Sequence, residues 1–320
     1  MIDVAVVEDV WGPALEALRA RFSVVHEATA WSSPTELSEL VKDARALVVR
    51  NRTSVTRSLL EHGVRLEVVA RAGVGTDNID LSAADDLGIV VVTATAANAR
   101  SVAEHTLCLA LALARDLIGV DRRTRGGQWE RRLAVELAGR TWGVVGLGAT
   151  GTAVAMLAAS LGLHVIAYDP YLSAGAGSLP DCRLVNDLIE VASDADVVSL
   201  HVPLTPETDG LVGRKFLAHM RPGAYLINVA RGGLVDEEAL ADALDAGRLA
   251  GAGLDVRVHE PPKLGRIETH ENVILTSHVA GMTEEAQEAV VTMLADDLNR
   301  VLSGTTASHA VGRWSRRHHA

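Results

Sequence analysis

Cysteine is nearly absent from this chain of 320 residues: there are two, Cys108 and Cys182, and they form no metal-ligand spacing. That scarcity excludes a disulfide framework and a thiolate metal site, and two buried free thiols in a reducing compartment are the expectation. Positive charge is not in excess either, since 30 Lys and Arg against 41 Asp and Glu leave a formal charge of −11. So acidic a chain argues against nucleic acid or an anionic membrane as partner. No uninterrupted apolar run reaches membrane-spanning length, and the start Met1-Ile2-Asp3-Val4 lacks the basic stretch of a secretory leader, so a cytoplasmic protein is expected. Internal repeats and low-complexity tracts are also missing. What is present is 48% hydrophobic residues and 28 glycines, ample core for two domains of ordinary size.

The most informative stretch is Thr141–Asp169. Thr141-Trp142-Gly143-Val144-Val145 reads as a buried strand, followed at once by Gly146-Leu147-Gly148-Ala149-Thr150-Gly151 and a helix-like run through Leu161. A second strand, His164–Tyr168, ends at Asp169. This is the order a dinucleotide site needs: Gly146 for the tight turn, Gly148 for close approach of a pyrophosphate, Gly151 for helix–strand packing, and free helix N–H groups for the phosphates. Asp169 is placed to accept from both hydroxyls of an adenosine ribose. Its charge would repel a 2′-phosphate, and Pro170-Tyr171-Leu172-Ser173 supplies no arginine to offset that, so NAD is favoured over NADP.

Residues 1–98 alternate short strands (Val4–Val7, Ser23–His26, Ala46–Val49, Leu66–Ala70, Ile89–Val92) with helices near 13–21, 35–42 and 56–62, which implies a parallel sheet covered on both faces. No glycine fingerprint occurs there. Arg71-Ala72-Gly73-Val74-Gly75-Thr76-Asp77-Asn78 follows a strand and reads equally well as an anion-holding loop or a structural turn. Ser101-Val102-Ala103-Glu104 matches a capping box, making Glu104 a structural cap. The helix after it is apolar on more than one face, hence buried between domains or at a subunit contact. Arg122–Trp129 reads as a polar loop whose Trp129 packs on a partner subunit or on its own domain. Further strands are expected at Asp196–His201, Ala224–Ala230, Gly251–Val256 and Asn272–Ser277. A helix Asp236–Ala246, capped by Asp236, and a last helix from Thr283 are expected with them. Arg313, Arg316, Arg317, His318 and His319 form a solvated end.

Ligands of an open parallel sheet bind beyond the carboxyl ends of its strands. The polar residues that fall there are Arg231, Asp255, Glu260, His278 and, with Pro203, His201. Arg231 would grip a carboxylate with its planar fork and polarise a carbonyl. His278 would exchange the hydroxyl proton near neutral pH, and Glu260 would hold its imidazole. These are the groups that reversible hydride exchange with a 2-hydroxy acid requires. His105, His259 and His270 read as structural or solvated.

On Arg71–Asp80, Gly143–Gly151, Leu200–Pro206, Met220–Leu240, Gly251–Pro262 and Ser277–Gly281 the chain resembles the D-isomer-specific 2-hydroxyacid dehydrogenases, from about Ala46 to Leu302. The resemblance implies two doubly wound parallel-sheet α/β domains, a Rossmann NAD-binding domain (99–284) inserted in a flavodoxin-like substrate domain (1–98 plus 285–320), and a homodimer. It implies Arg231, Glu260 and His278 as the catalytic set. Its implied cofactor residues are Gly146, Gly148, Ala149, Thr150, Gly151, Asp169, His201, Pro203, Thr208, Ala230, Asp255 and Gly281. On the substrate side it implies Arg50, Val74, Gly75, Asn98 and Arg231, and no metal. Arg50-Asn51-Arg52-Thr53 and the Arg71–Gly75 loop look most like the D-3-phosphoglycerate dehydrogenases, in which case Arg50, Arg52 and Arg71 would serve a substrate phosphate. With the chain ending near 320, the regulatory domain of longer members and serine feedback are not expected. Hydroxypyruvate- or glyoxylate-like acids are the other substrates implied. The alternative is a non-enzymatic NAD-sensing, corepressor-like scaffold; formate dehydrogenase is disfavoured by Glu260, where those enzymes carry Gln. Two departures stand out: Ala149-Thr150 replaces the usual Arg-Ile, removing a cation from the pyrophosphate, and Arg257 and His259 stand where relatives often carry aromatic or acidic residues.

Overall fold

Val4–Val7, Leu47–Val49 and Val68–Ala70 are runs of small branched residues with no solvent exposure, as expected of parallel strands covered on both faces. The structure, a computed structural model, describes residues 1–172 and 182–313. Ser173 and the tail residues Arg316, Arg317, His318 and His319 lie outside them. The chain divides into two compact units, Met1–Asn98 with the segment from Thr283 onward, and Ala99–Met282.

In chain order the first unit begins with β1 (Ile2–Val6), α1 (Pro13–Ala17), β2 (Val24–His26), α2 (Pro34–Asp43), β3 (Ala44–Val49), α3 (Arg57–His62), β4 (Val68–Arg71), α4 (Leu81–Leu87) and β5 (Val90–Thr93). The second holds α5 (Ala99–Ala114), α6 (Leu117–Arg125), β6 (Thr141–Val145), α7 (Ala149–Ser160), β7 (His164–Tyr168), β8 (Cys182–Val185) and α8 (Leu188–Asp194). It continues through β9 (Val197–Leu200), α9 (Arg214–His219), β10 (Ala224–Asn228), α10 (Glu237–Asp245), β11 (Leu249–Leu254) and β12 (Val273–Leu275). The chain then returns to the first unit with α11 (Glu284–Leu302) and β13 (Ala310–Val311). The first sheet runs β13-β5-β4-β3-β1-β2, parallel except for β13, and the second runs β12-β11-β10-β9-β6-β7-β8, parallel throughout. Both are doubly wound α/β sheets. In the second, strand order reverses between β6 and β9, which opens a crevice at their carboxyl ends.

Local chemistry sets the helix starts. Ser33, Thr56, Asp80, Asp187, Asp236 and Thr283 each accept a backbone N–H two or three residues on, and Pro34 occupies the first position of α2. Each such cap stabilises by ~1 kcal/mol. The capping box at Ser101–Glu104 is not one of them: α5 begins at Ala99, and Glu104 pairs with Arg100 at 2.6 Å inside the helix. The turn over residues 95–98, with Ala96 at φ 67°, redirects the chain earlier than the Ser-x-x-Glu pattern suggests. The first half of the polar loop expected at Arg122–Trp129 is also helical, as the end of α6. That helix buries no residue; an Asp121–Arg125 pair one turn apart and three arginines in its last turn favour it instead. Between α5 and α6 the chain breaks at Asp116, which adopts φ 46°.

Candidate active site

The fingerprint lies at the crevice. Gly146 has φ 93°, and a Cβ there would press on the His201 carbonyl at 2.8 Å; at Gly151 one would fall inside the Gly146 carbonyl oxygen. Both positions therefore demand glycine. At Gly148, by contrast, a Cβ would meet nothing within 4 Å, and no side chain caps the first turn of α7. Open space against free N–H groups at the start of a 12-residue helix fits a pyrophosphate. Exposed Ala149 and half-buried Thr150 form its first turn without a cation. At the end of β7, Asp169 accepts from the N–H of Leu147 (2.9 Å) and of Tyr171 (3.0 Å), which ties the fingerprint to the carboxyl end of β7.

On the other wall, Trp142 Nε1 donates to Ser199 Oγ at 2.8 Å, and Ser199 Oγ lies 2.9 Å from His201 Nε2. Ser199 Oγ thus links the indole to the imidazole. Burial pushes the His201 pKa down to about 3. The fold thus accepts only the neutral ring. Below about pH 6.5 the unfolded chain takes up a proton that the folded chain refuses, so this contribution is complete above pH 6.5 and is lost as pH falls, by at most ~1.4 kcal/mol per pH unit, until the folded ring also protonates. His201→Gln, which keeps a hydrogen-bond partner for Ser199, is expected to flatten the curve of Tm against pH between about 6.5 and 4; an unchanged curve would assign the acid sensitivity elsewhere. Beyond Pro203, the Thr208 hydroxyl donates to the Pro203 carbonyl at 2.7 Å and accepts from Thr205 N–H at 2.8 Å, shaping the next turn.

Three loops at the carboxyl ends of β10, β11 and β12 carry the candidate residues Arg231, Glu260 and His278. Buried Asn228 frames the first: its Oδ1 accepts from Ala230 N–H at 3.1 Å and its Nδ2 donates to the Arg231 carbonyl at 2.8 Å, leaving the Arg231 side chain half-buried at the rim. His278 Nδ1 lies 2.8 Å from Glu260 Oε2. Burial pushes the Glu260 carboxyl up, but the His278 contact, the Arg257 N–H and the Arg231 charge outweigh it, so the group sits below the usual carboxylate range. Arg231, Glu260 and His278 therefore share one electrostatic site. His278 has φ 57°. Asp255 holds it there, accepting from Thr276 Oγ1 (2.5 Å) and from Val279 and Ala280 N–H (2.9 Å each), while its carbonyl takes His278 N–H at 2.7 Å. The Asp255 side chain has 0% exposure, so what it offers is this anchorage. Half-buried Gly281 follows in the same loop.

In the first unit, the buried Glu8 carboxylate accepts four backbone N–H groups, from Arg50 (2.8 Å), Asn51 (3.1 Å), Arg52 (3.0 Å) and Thr53 (2.9 Å). Burial raises its pKa and these donors more than reverse that. The loop so fixed carries Arg50, whose Nη2 donates to Gln287 at 2.9 Å; Arg71 donates to Asn51 Oδ1 at 2.9 Å. Val74 is 43% exposed, and Gly75 and Asn98 are half-buried. Glu8, Asn228 and the Trp142–Ser199 relay escaped sequence reading. Of these only Asn228 has a local signal, its place three residues before a strand-end arginine.

Comparison with known proteins follows the same lines. The family model described as D-isomer specific 2-hydroxyacid dehydrogenase, NAD binding domain, matches residues 107–280. The chain belongs to that family and carries its NAD-binding domain. It is 45% identical over 278 residues to a D-3-phosphoglycerate dehydrogenase of Methanocaldococcus jannaschii, covering 86% of this chain and 53% of that one. The chain thus spans about half the length of the curated relatives it matches. Among solved structures it is similar to an Aquifex aeolicus D-lactate dehydrogenase complexed with NAD and lactic acid (30% identity, TM-score 0.82, 94% of this chain and 96% of that one). An NADPH-dependent glyoxylate/hydroxypyruvate reductase of Sinorhizobium meliloti is equally near in sequence (30% identity, TM-score 0.86, 97% of each chain). Among the described residues no group of His, Cys, Asp and Glu is arranged to hold a metal, and no helix is long and apolar enough to cross a membrane.

Proposed function

We propose that the chain is an oxidoreductase that exchanges a hydride between NAD(H) and a small D-2-hydroxy acid or its 2-keto acid, with 3-phosphoglycerate or a hydroxypyruvate- or glyoxylate-like acid as substrate. The observation that carries this reading is the 2.8 Å His278–Glu260 pair under the charge of Arg231, on the same sheet as the fingerprint. Arg231 binds the substrate carboxylate and draws charge toward the carbonyl oxygen. His278 exchanges the proton on that oxygen through Nε2, because Nδ1 faces Glu260. Glu260 fixes the orientation of the ring. Gly146, Gly148, Ala149, Thr150 and Gly151 hold the pyrophosphate, with Asp169 at the ribose. His201, Pro203, Thr208, Ala230 and Gly281 line the remaining cofactor side, and Asp255 sets the loop beneath it. Arg50, Val74, Gly75 and Asn98 are assigned to the substrate by family position.

The deciding experiment is a 2-keto acid screen with NADH and NADPH, with and without a phosphate on the substrate. Turnover with NADH is expected; none across phosphohydroxypyruvate, hydroxypyruvate, glyoxylate and pyruvate would sink the proposal. Asp169→Asn keeps an acceptor for Leu147 but removes the charge, so it is expected to narrow the NADH preference. A homodimer is proposed from Leu117 (60% exposed), Trp129 (82%) and Leu133 (105%), large apolar groups on one stretch of the second unit. Neither cysteine is buried as expected, Cys108 being exposed and Cys182 half-buried, but two free thiols still suit a cytoplasmic location.

A further inference from the structure

The loop that carries Glu260 is held from behind by a cluster of charges, and we propose that Arg257 is a positioning residue that keeps the Glu260 carboxylate aligned with His278. The inference rests on the roles given to that pair under Proposed function.

Arg257 is only 9% exposed. Its guanidinium lies bidentate on Glu237, in the first turn of α10, with Nε to Oε1 at 2.9 Å and Nη2 to Oε2 at 2.8 Å. The remaining branch, Nη1, binds Glu268 in the short turn Ile267–Thr269. Each carboxylate also fastens backbone: Glu237 Oε1 accepts from Val258 N–H at 3.1 Å, and Glu268 Oε2 from Gly265 N–H at 2.7 Å. While its side chain is anchored on two elements, the main-chain N–H of Arg257 donates to Glu260 Oε1 at 3.2 Å, leaving Oε2 for His278. On the opposite side Gly232, the residue after Arg231, lies so close that a Cβ would overlap the Arg257 carbonyl. Arg257 is therefore the point at which the arginine turn and the glutamate loop are set against each other.

Filling space does not require this arrangement. A buried ion cluster is often no more stabilising than apolar side chains of the same volume. What a planar fork adds is direction, because two carboxylates engaged along different edges of the guanidinium fix both the position and the tilt of the segment. The groups facing the Arg257 guanidinium are Glu237 from α10 and Glu268 from the short turn, two negative charges around one positive, while Glu260 meets only its main-chain N–H. Removal of the cation leaves those two to repel, and the loop opens.

Arg257→Met alone risks misfolding because Glu237 and Glu268 would be left without their cation. The test therefore pairs it with the neutralised variant Arg257→Met/Glu237→Gln/Glu268→Gln and with Arg257→Lys. Titration of the Glu260 side-chain carboxyl carbon by NMR, on the full chain without substrate, is the first measurement. In the neutralised variant the carboxyl is expected to titrate at higher pH than in the parent, since it loses a donor and its imidazole partner. In turnover, kcat is expected to fall at least about tenfold while KM changes less than about threefold, with the acid limb of the kcat profile displaced upward; Arg257→Lys should fall between. A folded neutralised variant with parental Glu260 titration and parental kcat, and a lower Tm as its only change, would overturn the proposal. If the parent turns over no keto acid, the functional reading fails while the carboxyl titration still decides whether Arg257 sets Glu260.

Discussion

Arg231→Lys is expected to lower kcat/KM for a 2-keto acid by about a thousandfold, roughly 4 kcal/mol of transition-state stabilisation. A lysine retains the charge, so the loss measures geometry. A carboxylate and an adjacent carbonyl present their oxygens nearly in one plane, which a guanidinium meets with parallel N–H donors and an ammonium meets at one point. The Asn228 side chain frames the Ala230–Arg231 turn from both sides and fixes where the fork starts. Because the guanidinium works hardest when negative charge gathers on the carbonyl oxygen, kcat should fall as well as affinity. The fork's Nη1 donates to the Ala230 carbonyl at 2.7 Å, and a melting curve run beside the kinetics checks that the fold is retained. A lysine variant within about fivefold of the parent would mean that another residue grips the acid.

His278→Ala is expected to lower kcat by about 10²–10⁴ with little effect on NADH binding, the range for removing a general acid–base. Glu260→Gln should cost less, because the amide still contacts Nδ1 and can keep the ring in place. The two variants should differ in pH dependence. In the parent, Glu260 is held below the ordinary carboxylate range, so it stays ionised well into acid and rate is lost only when it finally takes a proton. In Glu260→Gln that acid limb should disappear while the remaining rate stays low. Steady-state profiles for both variants decide the matter. A His278→Ala enzyme with the parental kcat would remove the imidazole from the chemistry.

Legibility in the sequence followed the range of each interaction. The fingerprint needs only Gly146, Gly148 and Gly151 beside their own strand and helix, and it could be read from adjacent letters. Arg231 and His278 were visible because a parallel sheet sends its strand ends to one side, so that position in the chain predicts position at the rim. The extra strand β8 follows a stretch without clear alternation and could not be read. In α6, Gly119 and the charged last turn leave no apolar stripe, so periodicity gave no helix there. The Ser101–Glu104 pattern misled because Arg100 competes for the same carboxylate one turn away. Least visible were partners far apart in sequence: Glu8 with the Arg50–Thr53 backbone, and Arg257 with Glu237 and Glu268. A lone arginine after an apolar strand resembles a solvated end until its carboxylates are seen folded onto it.

The left-handed backbone at His278 has a cost built into the proposed reaction centre. A histidine at φ 57° forfeits on the order of 1 kcal/mol that glycine or asparagine would not, and the Asp255 bonds to the following N–H groups make up the difference. The imidazole therefore occupies a place where a more comfortable residue would give a sturdier protein and, on the proposed function, a silent one. Selection for robustness and selection for turnover pull against each other at that single position, and stabilising screens that ignore activity should drift away from histidine there first.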